Sequence, residues 1–159
     1  QAGSVNWTGA TSNDWFTDSN WEWGTGAPVA GDDARIGQMG VVINGQDAAA
    51  ENLFVGIVSA GGLTVQQGLN TTNTTLGYNS GSSGTITVSG NLGEWTNTGS
   101  TYIGNNGTGT VNVLTQGEFL GGVVYLGQRI NGLRPDAVSR LGIVRTFQKT
   151  SLFGGSKRR

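Results

Sequence analysis

A chain of 159 residues, 35% hydrophobic and 12% charged, has room for one domain and is not a disordered polyelectrolyte. No apolar run approaches the ~18 residues that a bilayer-spanning helix needs, and the absence of cysteine and histidine excludes disulfides, thiolate metal sites and an imidazole base. The net charge of −1 hides a reversal, from nine acids against one base (Arg35) up to Gln128 to eight bases against one acid (Asp136) from Arg129 onward, which points to two segments of different character.

The chain begins at Gln1; a cleaved export signal and an excerpt from a longer chain both account for that. Residues 1–50 carry four of the five tryptophans: Trp7, Trp15, Trp21 and Trp23. Between them stand short polar stretches, and the turn-like Gly26-Ala27-Pro28 and Gly31-Asp32-Asp33 follow. Two readings of the cluster are available. It closes the exposed end of a repeat stack, as terminal repeats must, or it offers ring faces on which sugars stack. The plug is adopted here, and the platform, which needs at least two rings exposed on one face, is kept as its alternative.

Residues 51–128 repeat. A tetrapeptide ending in glycine recurs as Leu53-Phe54-Val55-Gly56, Thr74-Thr75-Leu76-Gly77, Thr101-Tyr102-Ile103-Gly104 and Val124-Tyr125-Leu126-Gly127, at steps of 21, 27 and 23. Between these lie Leu63-Thr64-Val65, Ile86-Thr87-Val88 and Val111-Asn112-Val113, at steps of 23 and 25. Both types alternate apolar with polar residues, the period of a half-buried strand. The connectors, such as Asn79–Gly84 and Asn105–Gly109, are turn chemistry. A unit this short cannot bury its apolar face alone, so it stacks on copies of itself. The expected fold is all-β: a right-handed parallel β-helix with Val, Ile and Leu inside, Thr and Asn outside, and polar ladders such as Thr64, Thr87 and Asn112 along the stack. A two-sheet sandwich is the competing architecture. It accounts less well for the fidelity of the motif.

Residues 129–159 form a basic tail. Pro135 is pre-organised for a first helical turn, Val138 and Leu141 lie on one face, Gly142 suits a C-cap, and Ile143–Phe147 reads as a strand. A short helix followed by a strand is expected there.

These stretches resemble two known families. The lead-in Asn6-Trp7-Thr8, Asp14-Trp15-Phe16, Asn20-Trp21 and Gly31–Gly37, with the repeats Gly84–Val88, Glu94–Gly99 and Tyr102–Val111, is similar to the β-helix repeat of autotransporter passenger domains and exported surface proteins of Gram-negative bacteria. The likeness spans about residues 5–120 and implies export, with adhesion or scaffolding at the cell surface. The stretch Gly127–Gln148, within residues of about 127–153, resembles the ATP-binding subunits of branched-chain amino-acid ABC transporters between their phosphate loop and the Q-loop glutamine, here Gln148.

The chemistry available is sparse. An ATPase needs GxxxxGK[ST], whose lysine and hydroxyl hold the phosphates and Mg²⁺. In the nearest octapeptide, Gly104–Val111, Thr110 stands where lysine belongs and Val111 where the hydroxyl belongs, so no ATP is expected. Glycoside hydrolysis needs two carboxyl groups roughly 5–10 Å apart. Asp32 and Asp33 are adjacent, and Glu94 and Glu118 are 24 residues apart, near the repeat length. Stacked, the glutamates would be a candidate Ca²⁺ site or a raised-pKa pair; apart, they are solvated surface groups, which is the reading taken. The basic tail lacks the aromatic interleaving of a nucleic-acid binder.

The chain is therefore read as a non-catalytic structural or adhesive surface module, extracellular or on the bacterial outer membrane. No catalytic, cofactor or metal residues are assigned. Trp7, Trp15, Trp21 and Trp23 are the candidate carbohydrate contacts. Surface polysaccharide or host-cell glycans are the candidate partners, with self-association through coil ends; nucleic acid and a transmembrane segment are not expected. A polysaccharide-acting enzyme is the remoter alternative.

Overall fold

A computed structural model describes residues 3–127; the αβ reading of the basic tail lies outside them. Ten strands run in chain order: β1 (Ser4–Asn6), β2 (Asp33–Ile36), β3 (Val41–Ile43), β4 (Ala48–Val55), β5 (Ala60–Val65), β6 (Gly68–Leu76), β7 (Ser83–Val88), β8 (Glu94–Ile103), β9 (Thr108–Val113) and β10 (Glu118–Leu126). They form two sheets, β1-β2-β4-β6-β8-β10 and β3-β5-β7-β9, and every strand pairing within them is parallel. The chain alternates between the sheets, which makes a β-solenoid of about four turns.

The two strand types read from the sequence fall on opposite sheets. The glycine-ended tetrapeptides are the C-terminal halves of β4, β6, β8 and β10, and the second type gives β5, β7 and β9. Register converts the repeat into columns. Ile36, Val55, Leu76, Ile103 and Leu126 stack in one column. Val41, Leu63, Ile86 and Val111 stack in another, beside Ile43, Val65, Val88 and Val113. Each column places like on like at the ~4.8 Å strand spacing, so apolar area is buried continuously along the axis.

Glycine sets the corner. Gly56, Gly77 and Gly104 have φ of 75°, 64° and 74°, the left-handed region that a Cβ disfavours. Each corner lies against a second glycine column, Gly61, Gly84 and Gly109, in register on β5, β7 and β9. A Cβ on Gly84 would overlap the Val55 carbonyl, and one on Gly77 would overlap the Thr108 carbonyl. The coil is closed by backbone packed on backbone.

One expectation is corrected. Polar residues were assigned to the outside, yet Thr71, Thr74, Asn97 and Thr101 are buried. They face inward in two further columns, one in the N-terminal halves by which β6 and β8 extend past the tetrapeptides, and one through the tetrapeptides' own first residues, on the same side as Leu76 and Ile103. These are Ala50-Thr71-Asn97-Gly121 and Leu53-Thr74-Thr101-Val124. Hydrogen bonds among Thr71, Thr74, Asn97 Oδ1 and Trp95 Nε1 offset much of the cost of that burial. On the outside, the Thr64-Thr87-Asn112 ladder is in register, and Asn112 Nδ2 donates to Thr87 Oγ1 at 3.4 Å.

Candidate functional site

The tryptophan-rich N-terminal segment is the candidate site, and it begins as an extension of the solenoid. Trp7 N donates to Arg35 O at 2.8 Å, prolonging β1 along β2, while Trp15 N and Val42 exchange bonds that carry Asn13–Trp15 along the edge of β3. Asn20 organises the loop between. Its buried amide accepts from Thr11 N and Ser12 N and donates to Ser12 Oγ and Asp14 O, all at 2.8–2.9 Å. Every donor and acceptor position of that side chain is thereby used.

With the loop fixed, three rings turn inward. Trp7, Trp15 and Trp21 are 6%, 0% and 1% exposed. Trp21 meets Trp7 edge-on at 5.1 Å and Trp15 at 4.8 Å between centroids, and its Nε1 donates to Trp15 O at 2.7 Å. Such edge-to-face contacts suit the ring quadrupoles. These three rings are buried in the core cluster with Ala34, Ile36 and Val41 and present no shared face to solvent. Trp23 differs. It is 81% exposed, with φ of 61°, rare for a bulky residue. The sequence brought the four tryptophans together as one group; the structure separates them into three and one.

The other candidates resolve individually. The octapeptide Gly104–Val111 is a solenoid corner. Backbone amides of Gly104 and Asn105 bond to Leu76 O, and those of Asn106 and Gly107 to Gly77 O. They are consumed by the coil beneath, where a phosphate loop leaves its amides free for the ligand. Asp32 accepts from Gly3 N and Val29 N in a turn, and Asp33 accepts from Asn52 Nδ2 on the outer face. Glu94 and Glu118 are register partners at the starts of β8 and β10, both exposed. Among the described residues no three His, Cys, Asp or Glu side chains gather as a metal site, and no helix is long and apolar enough to cross a membrane.

No family model, curated protein or solved structure matches this chain. The resemblances to autotransporter repeats and to ABC-transporter subunits therefore gain no family support, and the segment carrying the second lies outside the described residues. What the coordinates establish is the β-solenoid itself.

Sequence reasoning missed three features. Trp95, outside the N-terminal cluster, is fully buried and stacks on Phe119 at 4.2 Å. On the outside Tyr102 and Tyr125 stack at 4.7 Å. An amide ladder runs from Asp33 through Asn52 and Asn73 to Ser100 N, with bonds of 2.7, 3.1 and 3.1 Å. The spacing held the signal for all three, since each set recurs one coil apart.

Proposed function

We propose that this chain is a non-catalytic structural or adhesive module of a bacterial exported protein, displayed at an extracellular or outer-membrane surface. The observation that carries the reading is the continuous ladder architecture. Inward positions are taken up by core columns, and the carboxylates lie on the outside in turns, in the amide ladder and in the Glu94/Glu118 column. An object of this kind offers stiffness, length and long outer faces. Its acidic exterior, with Arg35 as the one base up to Gln128, favours neutral or cationic partners over nucleic acid.

Within that reading, Trp23 is the contact residue for a polysaccharide or host-cell glycan. An exposed ring held on a left-handed backbone is a costly placement for so large an apolar side chain, and a single face suffices to stack one sugar ring. Glycan-array binding by the full chain, repeated with Trp23→Ala verified as folded, tests this. Binding that the variant loses supports the adhesive role. Binding retained by the variant removes Trp23, and no binding by either leaves a purely structural module. Self-association through the C-terminal coil end belongs to the same proposal, because β10 is the last strand of its sheet among the described residues and exposes Leu120, Val123, Val124 and Tyr125.

A further inference from the structure

The buried polar residues of β6 and β8 leave a hydrogen-bonding remainder. Asn97 Oδ1 accepts from Thr71 Oγ1 at 2.8 Å and from Thr74 Oγ1 at 2.9 Å, and Thr71 Oγ1 accepts from Trp95 Nε1 at 3.0 Å. Asn97 and Thr101 are 1% and 0% exposed, yet Asn97 Nδ2 and Thr101 Oγ1 have no partner among the described residues. Turning the amide over exchanges an orphaned donor for an orphaned acceptor, so the remainder persists in either orientation.

The two orphans flank one irregularity of β8. Asn97 and Thr101 are four positions apart, whereas their partners Thr71 and Thr74 on β6, and Gly121 and Val124 on β10, are three apart. The middle strand therefore carries one extra residue, a bulge that bends it away from the axis. Thr74 Oγ1 donates to Asn97 Oδ1, and Thr74 is the register neighbour of Thr101, so Thr74 is common to the surroundings of both residues. On the next coil Gly121 contributes no side chain above Asn97, and the Phe119 ring and Val124 close over that position.

We propose that Asn97 and Thr101 bind a water molecule inside the coil, at the β8 bulge. The water accepts from Asn97 Nδ2 and exchanges a hydrogen bond with Thr101 Oγ1. Thr74 Oγ1 supplies a third partner, the number a buried water usually makes. Neutral amide and hydroxyl groups line the place, and no charged residue is buried among the described residues, so the ligand is water and not an ion. Its role is to pin the register of the bulge, where an extra residue would otherwise allow the coils to slip.

The test uses the full chain labelled with ¹⁵N. Cross-peaks between the Asn97 side-chain amide protons and water, opposite in sign in laboratory- and rotating-frame spectra, are expected from a long-lived bound molecule; their absence overturns the proposal. Thr101→Val, which keeps the shape and removes the hydroxyl, is expected to lower the folding equilibrium constant about tenfold, because the water loses a partner. A rise in that constant would mean the hydroxyl was buried without a partner and would also overturn the proposal. Thr101→Ser is expected to keep the cross-peaks, and their loss in that variant counts against it. The wild-type spectra decide the matter even if the valine variant does not fold.

Discussion

Replacing Trp21 by alanine measures what the plug contributes. A buried tryptophan removes about 150–250 Å² from water, worth roughly 4–6 kcal/mol at about 25 cal/mol per Å². The edge contacts with Trp7 and Trp15 add about 0.5–1.5 kcal/mol each. Removal also orphans the Trp15 carbonyl, which accepts from Trp21 Nε1, at about 1–3 kcal/mol. Alanine recovers part of the transfer term and the surrounding rings relax into the cavity, so the expected loss is about 4–5 kcal/mol, within the range seen for such truncations. Against a total stability of roughly 5–15 kcal/mol this is severe. Because each coil touches only its neighbours, the damage concentrates in β1, β2 and β3. Urea unfolding followed by far-ultraviolet circular dichroism should show either a lowered midpoint or a separate early transition. Trp23→Ala is the control. It keeps the positive φ and removes only an exposed ring, so a change under about 0.5 kcal/mol is expected. A Trp21→Ala curve within about 1 kcal/mol of wild type, with no early phase, would refute the plug.

Other outcomes follow from the same geometry. Gly84→Ala forces a Cβ into the Val55 carbonyl and should cost more than about 3 kcal/mol. The same substitution at Gly81, where a Cβ meets nothing within 4 Å, should cost only the strain of its φ of 82°, about 1–2 kcal/mol; thermal melts of the two variants separate contact from conformation. Asn52→Ala interrupts the Asp33-Asn52-Asn73 ladder and should lose about 1–2 kcal/mol. A double-mutant cycle with Asn73→Ala should give a coupling above about 0.5 kcal/mol, and strict additivity would deny the ladder any cooperativity. Glu94→Gln removes one of two in-register like charges and should raise the melting temperature slightly, an effect that fades in 1 M salt. Size-exclusion volumes that fall with rising concentration over a hundredfold range are expected from coil-end association; a constant monomer volume argues against it.

The repeat was legible because the residues that define it cannot be exchanged freely. A corner at positive φ demands glycine, and a column packed on itself demands Val, Ile or Leu at a fixed step, so Val55-Gly56, Leu76-Gly77 and Ile103-Gly104 stand out in the sequence. The N-terminal halves of the long strands were not legible. Ala48–Ala50, Leu69–Thr71 and Trp95–Asn97 change residue type from coil to coil, and their pairing is visible only once register is known. The interior threonines and Asn97 were hidden for a further reason. Thr74 and Thr101 share the side of Leu76 and Ile103, two positions on, so alternation already turned them inward while their polar identity pointed out; the side of Thr71 and Asn97 is visible only once the pairing of β6 and β8 is known. For the candidate site, composition identified the tryptophans as a group. Which ring stays outside depends on the left-handed turn at Trp23, and a non-glycine residue in that conformation has no sequence signature.

The interlocked glycine columns also decide where this protein can change. Pitch is held by main chain meeting main chain, so side-chain identity elsewhere on the outer faces is loosely constrained. Connector length is similarly free, as the uneven steps of 21, 27 and 23 residues attest. Such a molecule behaves as a toothed rack: the teeth are invariant in shape, and anything that leaves them meshed is permitted. Loops between strands can lengthen, shorten or acquire new chemistry without disturbing the neighbouring coil. A lineage built this way can diversify its surface quickly while its backbone stands still.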